Sequence, residues 1–219
     1  MRIVPNDIAI ASYFAADKMP TLADEAWTRC APVPIVRYWS GEDAPPARHA
    51  EARVLWTDAC LCVRFHGTQA EPLIVSDAPQ THSKTIGLWD RDVCEMFIAP
   101  DRDAPQRYFE FEVAPTGEWV DLAIDWSGGE RHTNWKCNSG MMTEARVEAC
   151  AVTMLMRVAW SAFGRPCPRP GDEWRANFLR CVGIDTDSEA RGYLAWQPTF
   201  TATPNFHVPE VFGTLRFAA

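Results

Sequence analysis

The sequence predicts an all-β fold: an antiparallel β-sandwich of jelly-roll or immunoglobulin-like type, with about ten strands and minor helix. Three observations lead there. Short runs rich in Val, Phe, Tyr, Trp and Thr recur from residue 50 onward. Turn chemistry separates them, as at Asp58-Ala59, at Pro115-Thr116-Gly117 and in the proline-rich 165–170 patch. No segment sustains the apolar period of a long amphipathic helix.

The elements follow in order. Thr21–Thr28 is a short helical segment, with Thr21 placed to cap it and Asp24 three residues on. AEARVLWTD and LCVRFHGT flank the tight Asp58-Ala59 turn and read as a hairpin. Residues 71–89 form a long polar loop with little periodicity, and loops of that length usually carry function. DVCEMFIAP resumes strand character. RYFEFEVAP alternates cleanly, with Phe109, Phe111 and Val113 on one face and Tyr108, Glu110 and Glu112 on the other. That period of two predicts a half-buried strand. EWVDLAI runs back after the Pro115-Thr116-Gly117 turn, and a Gly/Ser/Asn-containing stretch follows it. CAVTMLMRVAW has the length and Met/Leu content of a helix. Its strand neighbours, and the block imposed by Pro166, Pro168 and Pro170, favour a strand. DEWRANFLRC, GYLAWQPT and GTLRF complete the set. Neither proline-rich patch, PPARH near residue 45 or RPCPRP at 165–170, reads as a domain linker, so residues 1–219 are expected to form a single domain.

Composition narrows the function. The chain has 219 residues, with 21 basic and 29 acidic side chains and a net charge of −8. Such a charge has no broad attraction for phosphate backbones, so nucleic acid is not an expected partner. No apolar stretch reaches the length of a membrane-spanning helix, and no membrane partner is expected. The N-terminus lacks a charged start followed by an apolar core. This points to a cytoplasmic protein, or to an exported one whose signal has been removed. Eight cysteines without a Cys-x-x-Cys pair argue for reduced thiols, and Cys60 and Cys62 face the same way on one strand. Dinucleotide, phosphate-loop and nucleophile-elbow motifs are absent. The five histidines have no metal-ligand spacing.

Ten tryptophans are present, and most must serve packing. Trp89 stands out because it ends the long loop beside Asp90, Arg91 and Asp92, with Glu95 six residues on. Sugars are held by an aromatic plane under the C–H face of the ring and by carboxylate, Arg and Asn groups on the hydroxyls. A loop Trp beside a carboxylate and an Arg supplies both. If the strands carrying Glu95 and Glu110/Glu112 are neighbours, these carboxylates share one sheet face. Arg175 and Asn177 alternate against Trp174, Ala176 and Phe178. The C-terminal stretch adds Trp196, Gln197, Phe200, Asn205, Phe206 and His207.

The runs LWDRDVCEMFIAPD…YFEFEVAPTGEWVD, VAWSAFGRPCPRPGDEWRANFLRC, AWQPT and NFHVPEVFGTLRF resemble family 9 carbohydrate-binding modules and the wider DOMON-like sandwich group. ADEAWTRC and VLWTDACLCVRFHGT fit the same pattern, and the resemblance covers about residues 20–217. It implies a β-sandwich that binds sugars, typically without catalysis, by clamping the ring between two aromatics. Trp89 and Glu95 match the first half of that clamp. In the C-terminal loop Asn205 matches, but no Trp follows it, so Phe206, His207 or Trp196 must supply the second aromatic. The ligand-binding set expected from residues and resemblance together is Trp89, Glu95, Arg175, Asn177, Trp196, Asn205, Phe206 and His207. The resemblance also implies structural calcium, for which Asp101-Arg102-Asp103 is a loop to consider although no EF-hand pattern exists.

Two other readings compete with a carbohydrate-binding module. One is an enzyme acting on a sugar through paired carboxylates such as Glu95 and Glu110. The other is a haem-binding redox domain, since some DOMON-like sandwiches hold haem through Met and His; here Met96, Met141, Met142, Met154 and Met156 read as core or loop fillers.

Overall fold

The computed structural model describes residues 7–15, 19–183 and 191–219. Among them, helix is confined to short 3₁₀ turns such as Glu25–Arg29, and fourteen strands make up the fold. The first five are β1 (Ile8–Tyr13), β2 (Val33–Ile35), β3 (Arg37–Tyr38), β4 (Ala50–Trp56) and β5 (Cys60–Thr68). The middle of the chain gives β6 (Val93–Ala99), β7 (Arg107–Val113), β8 (Trp119–Asp125) and β9 (His132–Asn134). The rest are β10 (Met142–Glu148), β11 (Ala151–Ala159), β12 (Glu173–Val182), β13 (Gly192–Ala195) and β14 (Gly213–Phe217). They form one curled sheet in the order β10-β11-β5-β4-β1-β14-β12-β6-β7-β8-β9, with β2, β3 and β13 attached beside it. No helix among the described residues is long and apolar enough to cross a membrane.

The expected sandwich class holds, with one difference in strand direction. The sheet is mixed, because β1 runs parallel to both β4 and β14. All other ladders among the described residues are antiparallel. The reason is connectivity. The chain from β1 to β4 is long enough for a crossover, which a parallel pair requires and a hairpin does not. The β4–β5 hairpin forms as expected, with Trp56 opposite Leu61 and the Thr57 N–H donating to the Cys60 carbonyl at 3.0 Å. CAVTMLMRVAW is strand β11 up to Ala159, and only Trp160–Phe163 turns helically. The expected helix at Thr21–Thr28 is a 3₁₀ turn at Glu25–Arg29. Thr21 does not cap it: Asp24 holds the N-cap position without a side-chain cap bond, and its carboxylate accepts the Thr21 N–H at 2.6 Å instead.

Curling brings the two halves of the sheet face to face. Their inner faces meet in the main core, where Phe65 and Phe178 pack edge to face at 6.2 Å. Trp174 lies there among Trp160, Phe163 and Phe217, with centroids 5.1–5.9 Å away. Burying one such ring stabilises by roughly 1.5–3 kcal/mol, so this cluster is a main anchor of the closure. Trp27, Trp56, Trp160, Trp174 and Trp196 are all buried, in line with a packing role for most tryptophans.

The opposite face of β6, β7, β8 and β12 is not a solvent face. It carries a second buried cluster that includes Phe97, Tyr108, Leu122, Leu179, Phe206 and Phe212. RYFEFEV alternates as the sequence predicts, but Glu110 and Glu112 are buried rather than half-exposed, because the loops fold over them.

Candidate functional site

Trp89 is set by a short, heavily tethered turn. Gly87, at φ +82°, admits the left-handed bend that starts the 3₁₀ turn Leu88–Asp90. Leu88 is fully buried and anchors the turn from below. From β13's side, the buried Arg191 guanidinium donates to three successive carbonyls: Trp89 at 2.7 Å, Asp90 at 2.6 Å and Arg91 at 2.5 Å. These bonds consume backbone acceptors and leave the indole half-exposed. Trp135, on the stretch after β9, meets it with ring centroids 6.1 Å apart and planes tilted by 48°.

The two indoles stand over a cavity of about 320 Å³. That is the low end of the range for small-ligand pockets and suits a ligand the size of one sugar ring. Buried Phe97 and Leu122 form its base, and Trp135, 47% exposed, stands at its mouth. Asn205, Phe206 and His207 complete the lining beside Tyr193.

His207 is oriented by a relay of rings. The Trp126 indole N–H donates to the Tyr108 hydroxyl at 3.3 Å, and the hydroxyl is 2.8 Å from His207 Nδ1. Indole can only donate, so the tyrosine proton is free to go to Nδ1, and the imidazole proton sits on Nε2. Burial pushes the His207 pKa down to about 4, so the ring is neutral at pH 7. Its Nε2 lies 4.0 Å from Glu110 Oε2, and the ring stacks on Phe97 at 5.2 Å.

Glu95 and Glu110 line the inner wall, and Glu112 lies buried behind them. Strand register sets Glu95 opposite Glu112 and Phe97 opposite Glu110, so all three acids project from one face. Glu95, Glu110 and Glu112 are 2%, 4% and 0% exposed, and an oxygen of each lies within 4.8 Å of the others. The Cys181 thiol donates to Glu95 at 3.3 Å. Among the described residues, Glu110 Oε2 and both Glu112 oxygens find no donor outside the trio, and the Glu110 and Glu112 carboxyls hydrogen-bond each other. Burial and the neighbouring Glu110 carboxylate push the Glu95 pKa up to about 8. Burial also raises Glu110, and burial with two like charges raises Glu112 further. A wall of this kind presents both carboxyl donors and carboxylate acceptors, which is what pairs of ring hydroxyls need.

Five of the eight expected residues meet here: Trp89, Glu95, Asn205, Phe206 and His207 all line the cavity. Three lie elsewhere. Asn177 is fully buried, and its amide is used by Gln197, donating to the carbonyl at 2.9 Å and accepting the N–H at 3.0 Å. Trp196 points to the other side of the sheet, against Phe178 at 5.6 Å. Arg175 pairs with Ala99 across the ladder, four residues from the Leu179–Glu95 pair and so about 13 Å along the strand. The sequence reading missed Trp135, Tyr193 and Arg131. Trp135 carries the same signal as Trp89, a tryptophan among turn-forming polar residues, in the stretch after β8.

Asp101 of the candidate calcium loop is paired with Arg165 at 2.9 Å. Among the described residues, the grouping with metal-ligand spacing is Glu95, Glu110 and Glu112. Hard carboxylate oxygens suit calcium, which would complete its shell with water or ligand hydroxyls, since Phe97 and Leu122 offer no oxygen. Met96, Met154 and Met156 pack in the main core.

The family model for carbohydrate-binding family 9 matches residues 17–217. No curated protein sequence matches the chain. A family 9 module from Caldicellulosiruptor kristjanssonii, solved in complex with cellotriose, shares the fold at a TM-score of 0.66 and 16% identity, over 97% of this chain and 94% of that one. The structure of a family 9 module from the same organism in complex with glucose gives 0.66 and 17%, over 97% and 96%. A Bacteroides uniformis protein, crystallised as a candidate carbohydrate binder, gives 0.70 and 18%, over 96% and 98%. At these identities the likeness is one of fold alone. The family match spans nearly the whole described sheet and both loops that carry the cavity, and on it the chain belongs to carbohydrate-binding family 9.

Proposed function

We propose that this chain is a non-catalytic carbohydrate-binding domain that takes one sugar ring, free or at a glycan end, in the cavity beneath Trp89. The observation that carries the reading is the convergence of an accessible indole, two carboxyls and a neutral His N–H on one ring-sized space. Trp89 covers the C–H face of the ring. Glu95 and Glu110 take hydroxyls, with the His207 Nε2–H as a donor beside Glu110. Asn205 frames the cavity, its carboxamide oxygen accepting the backbone N–H of His207 at 3.0 Å. The second aromatic expected in the C-terminal loop is replaced in this reading by Trp135, on a different loop. The complexes of the Caldicellulosiruptor modules with cellotriose and glucose support the same ligand class.

Isothermal titration with glucose, cellobiose and cellotriose tests the proposal. Stacking on one aromatic is worth about 1–1.5 kcal/mol by analogy with aromatic pairs, so Trp89→Ala is expected to weaken binding about ten-fold. Unchanged affinity in the variant removes Trp89 from the site. Absence of binding to all three sugars, with the protein folded, removes this ligand class.

A further inference from the structure

We propose that the ring held in this cavity is the end of a linear oligosaccharide, whose next rings lie over a second platform built from Trp39 and Phe200. The inference rests on the proposed function and extends the same site beyond its first ring. Its starting point is a backbone outlier. Phe200 has φ +55°, and among the described residues no other non-glycine has a positive φ. The left-handed region is costly for a bulky side chain, and such strain clusters where a protein meets its ligands. Burial does not explain it, because Phe200 stays 45% exposed.

Two contacts enforce the bend. The Phe200 N–H donates to the Trp39 carbonyl at 2.7 Å. The ring is seated on Gly41, where a Cβ would lie 2.2 Å from the ring's Cε1. Gly41 itself, at φ +91°, closes a tight turn after β3, its N–H donating to the Tyr38 carbonyl at 2.9 Å. The fold thus holds an aromatic ring toward solvent against its backbone preference.

The platform borders the cavity. The indole N–H of Trp39 donates to the Thr201 carbonyl at 3.1 Å, which ties this ring to the Phe200 loop. Trp39 meets Tyr193 edge to face, with centroids 6.1 Å apart, and Tyr193 lines the cavity. Trp39, Trp89 and Tyr193 all pack against the same apolar cluster, so they lie on one face of the sheet. The Phe200 loop runs on through Pro204 and Asn205 into the cavity wall. Exposed Glu42 follows Gly41, and Thr201 and Thr203 follow Phe200. Aromatic rings set among hydroxyl and carboxylate groups repeat the pairing of Trp89 with Glu95. Polar groups between the rings suit a glycan, whose rings each have an apolar face and a hydroxyl rim, and not an acyl chain.

The test is a length ladder of glucose, cellobiose and cellotriose, titrated against the wild type and Phe200→Gly. Glycine accepts the left-handed backbone, so the variant keeps the loop and loses only the ring. Thermal melting checks that it folds. One added aromatic platform is worth about ten-fold in affinity, so cellotriose is expected to bind the wild type about ten-fold tighter than glucose. Phe200→Gly is expected to remove most of that ratio while glucose affinity stays within about two-fold. Cellotriose binding no tighter than glucose overturns this inference and leaves the proposed function standing. An undiminished ratio in folded Phe200→Gly removes the platform and also overturns it. Equal losses for glucose and cellotriose make Phe200 a prop of the cavity wall, which overturns it as well. No binding of any of the three sugars overturns both.

Discussion

Asp121 and Glu118 are buried as deeply as Glu95, Glu110 and Glu112, and all five lie on or beside three consecutive strands. Their partners differ. Lys84 Nζ sits 2.5 Å from Asp121, whose other oxygen accepts the Ser139 N–H at 2.5 Å. Arg91 reaches both oxygens of Glu118 at 3.1 and 3.2 Å, and Thr116 adds a hydroxyl at 2.9 Å. The trio has one thiol donor and no ion pair with Lys or Arg among the described residues. The acids away from the cavity come with their cations, whereas Glu95 and Glu110 in its lining form no ion pair with Lys or Arg among the described residues. The paired acids also serve the site indirectly. Lys84, from the loop that ends in Trp89, donates to the carbonyls of Trp135 and Cys137 and so ties the two tryptophan-bearing stretches together.

The largest effect is expected where that pairing is broken. Lys84→Met leaves Asp121 buried without its cation, which costs about 3–5 kcal/mol. Urea denaturation is the measurement, and a loss below about 1 kcal/mol would place Asp121 among acids that need no partner. Sugar affinity is expected to fall as well, since Trp135 loses its tether.

A smaller effect, of opposite sign, is expected in the trio. The folded pKa of Glu95, about 8, lies above its ordinary 4.5. Below pH 4.5 the side chain is protonated in both states and has no penalty. As pH rises from 4.5 to 8, the unfolded chain ionises while the fold holds its proton, so stability is lost across that window. Asp92, raised to about 6 by burial, works in the same direction, and His207 works against it on the acid side of pH 6.5. The difference between the wild type and Glu95→Gln isolates the trio. The variant should gain on the wild type steadily from pH 5 to 8 in urea midpoints. Parallel curves would show that Glu95 titrates normally in the fold.

Much of this contrast is written locally in the chain. The alternation of RYFEFEV puts Glu110 and Glu112 on one face, and adjacency of β6 and β7 adds Glu95 to it. The Trp89 loop announces itself by its polar company. What alternation cannot tell is what covers a face: a period of two is the same whether the second face meets water or a lid. The burial of the trio therefore depends on long-range returns, from the stretch after β9 and the 204–207 loop, that no local pattern encodes. The placing of Trp135 depends on Lys84, fifty-one residues earlier. The parallel insertion of β1 likewise joins β14 from the far end of the chain.

The smallest effect separates residues that share a strand from residues that share a site. Arg175 and Asn177 alternate on one face of β12, a pairing that suits sugar hydroxyls. Yet Asn177 is consumed by Gln197, and Arg175 lies four residues from the pair that faces the cavity. Its guanidinium is already influenced by Arg102 and Asp7 at the far end of β12. At about 13 Å of strand rise, beyond a Debye length of about 8 Å in physiological salt, its charge is screened from the trio. Arg175→Ala is therefore expected to leave sugar affinity within about two-fold of the wild type by titration. A ten-fold loss would extend the site along β12.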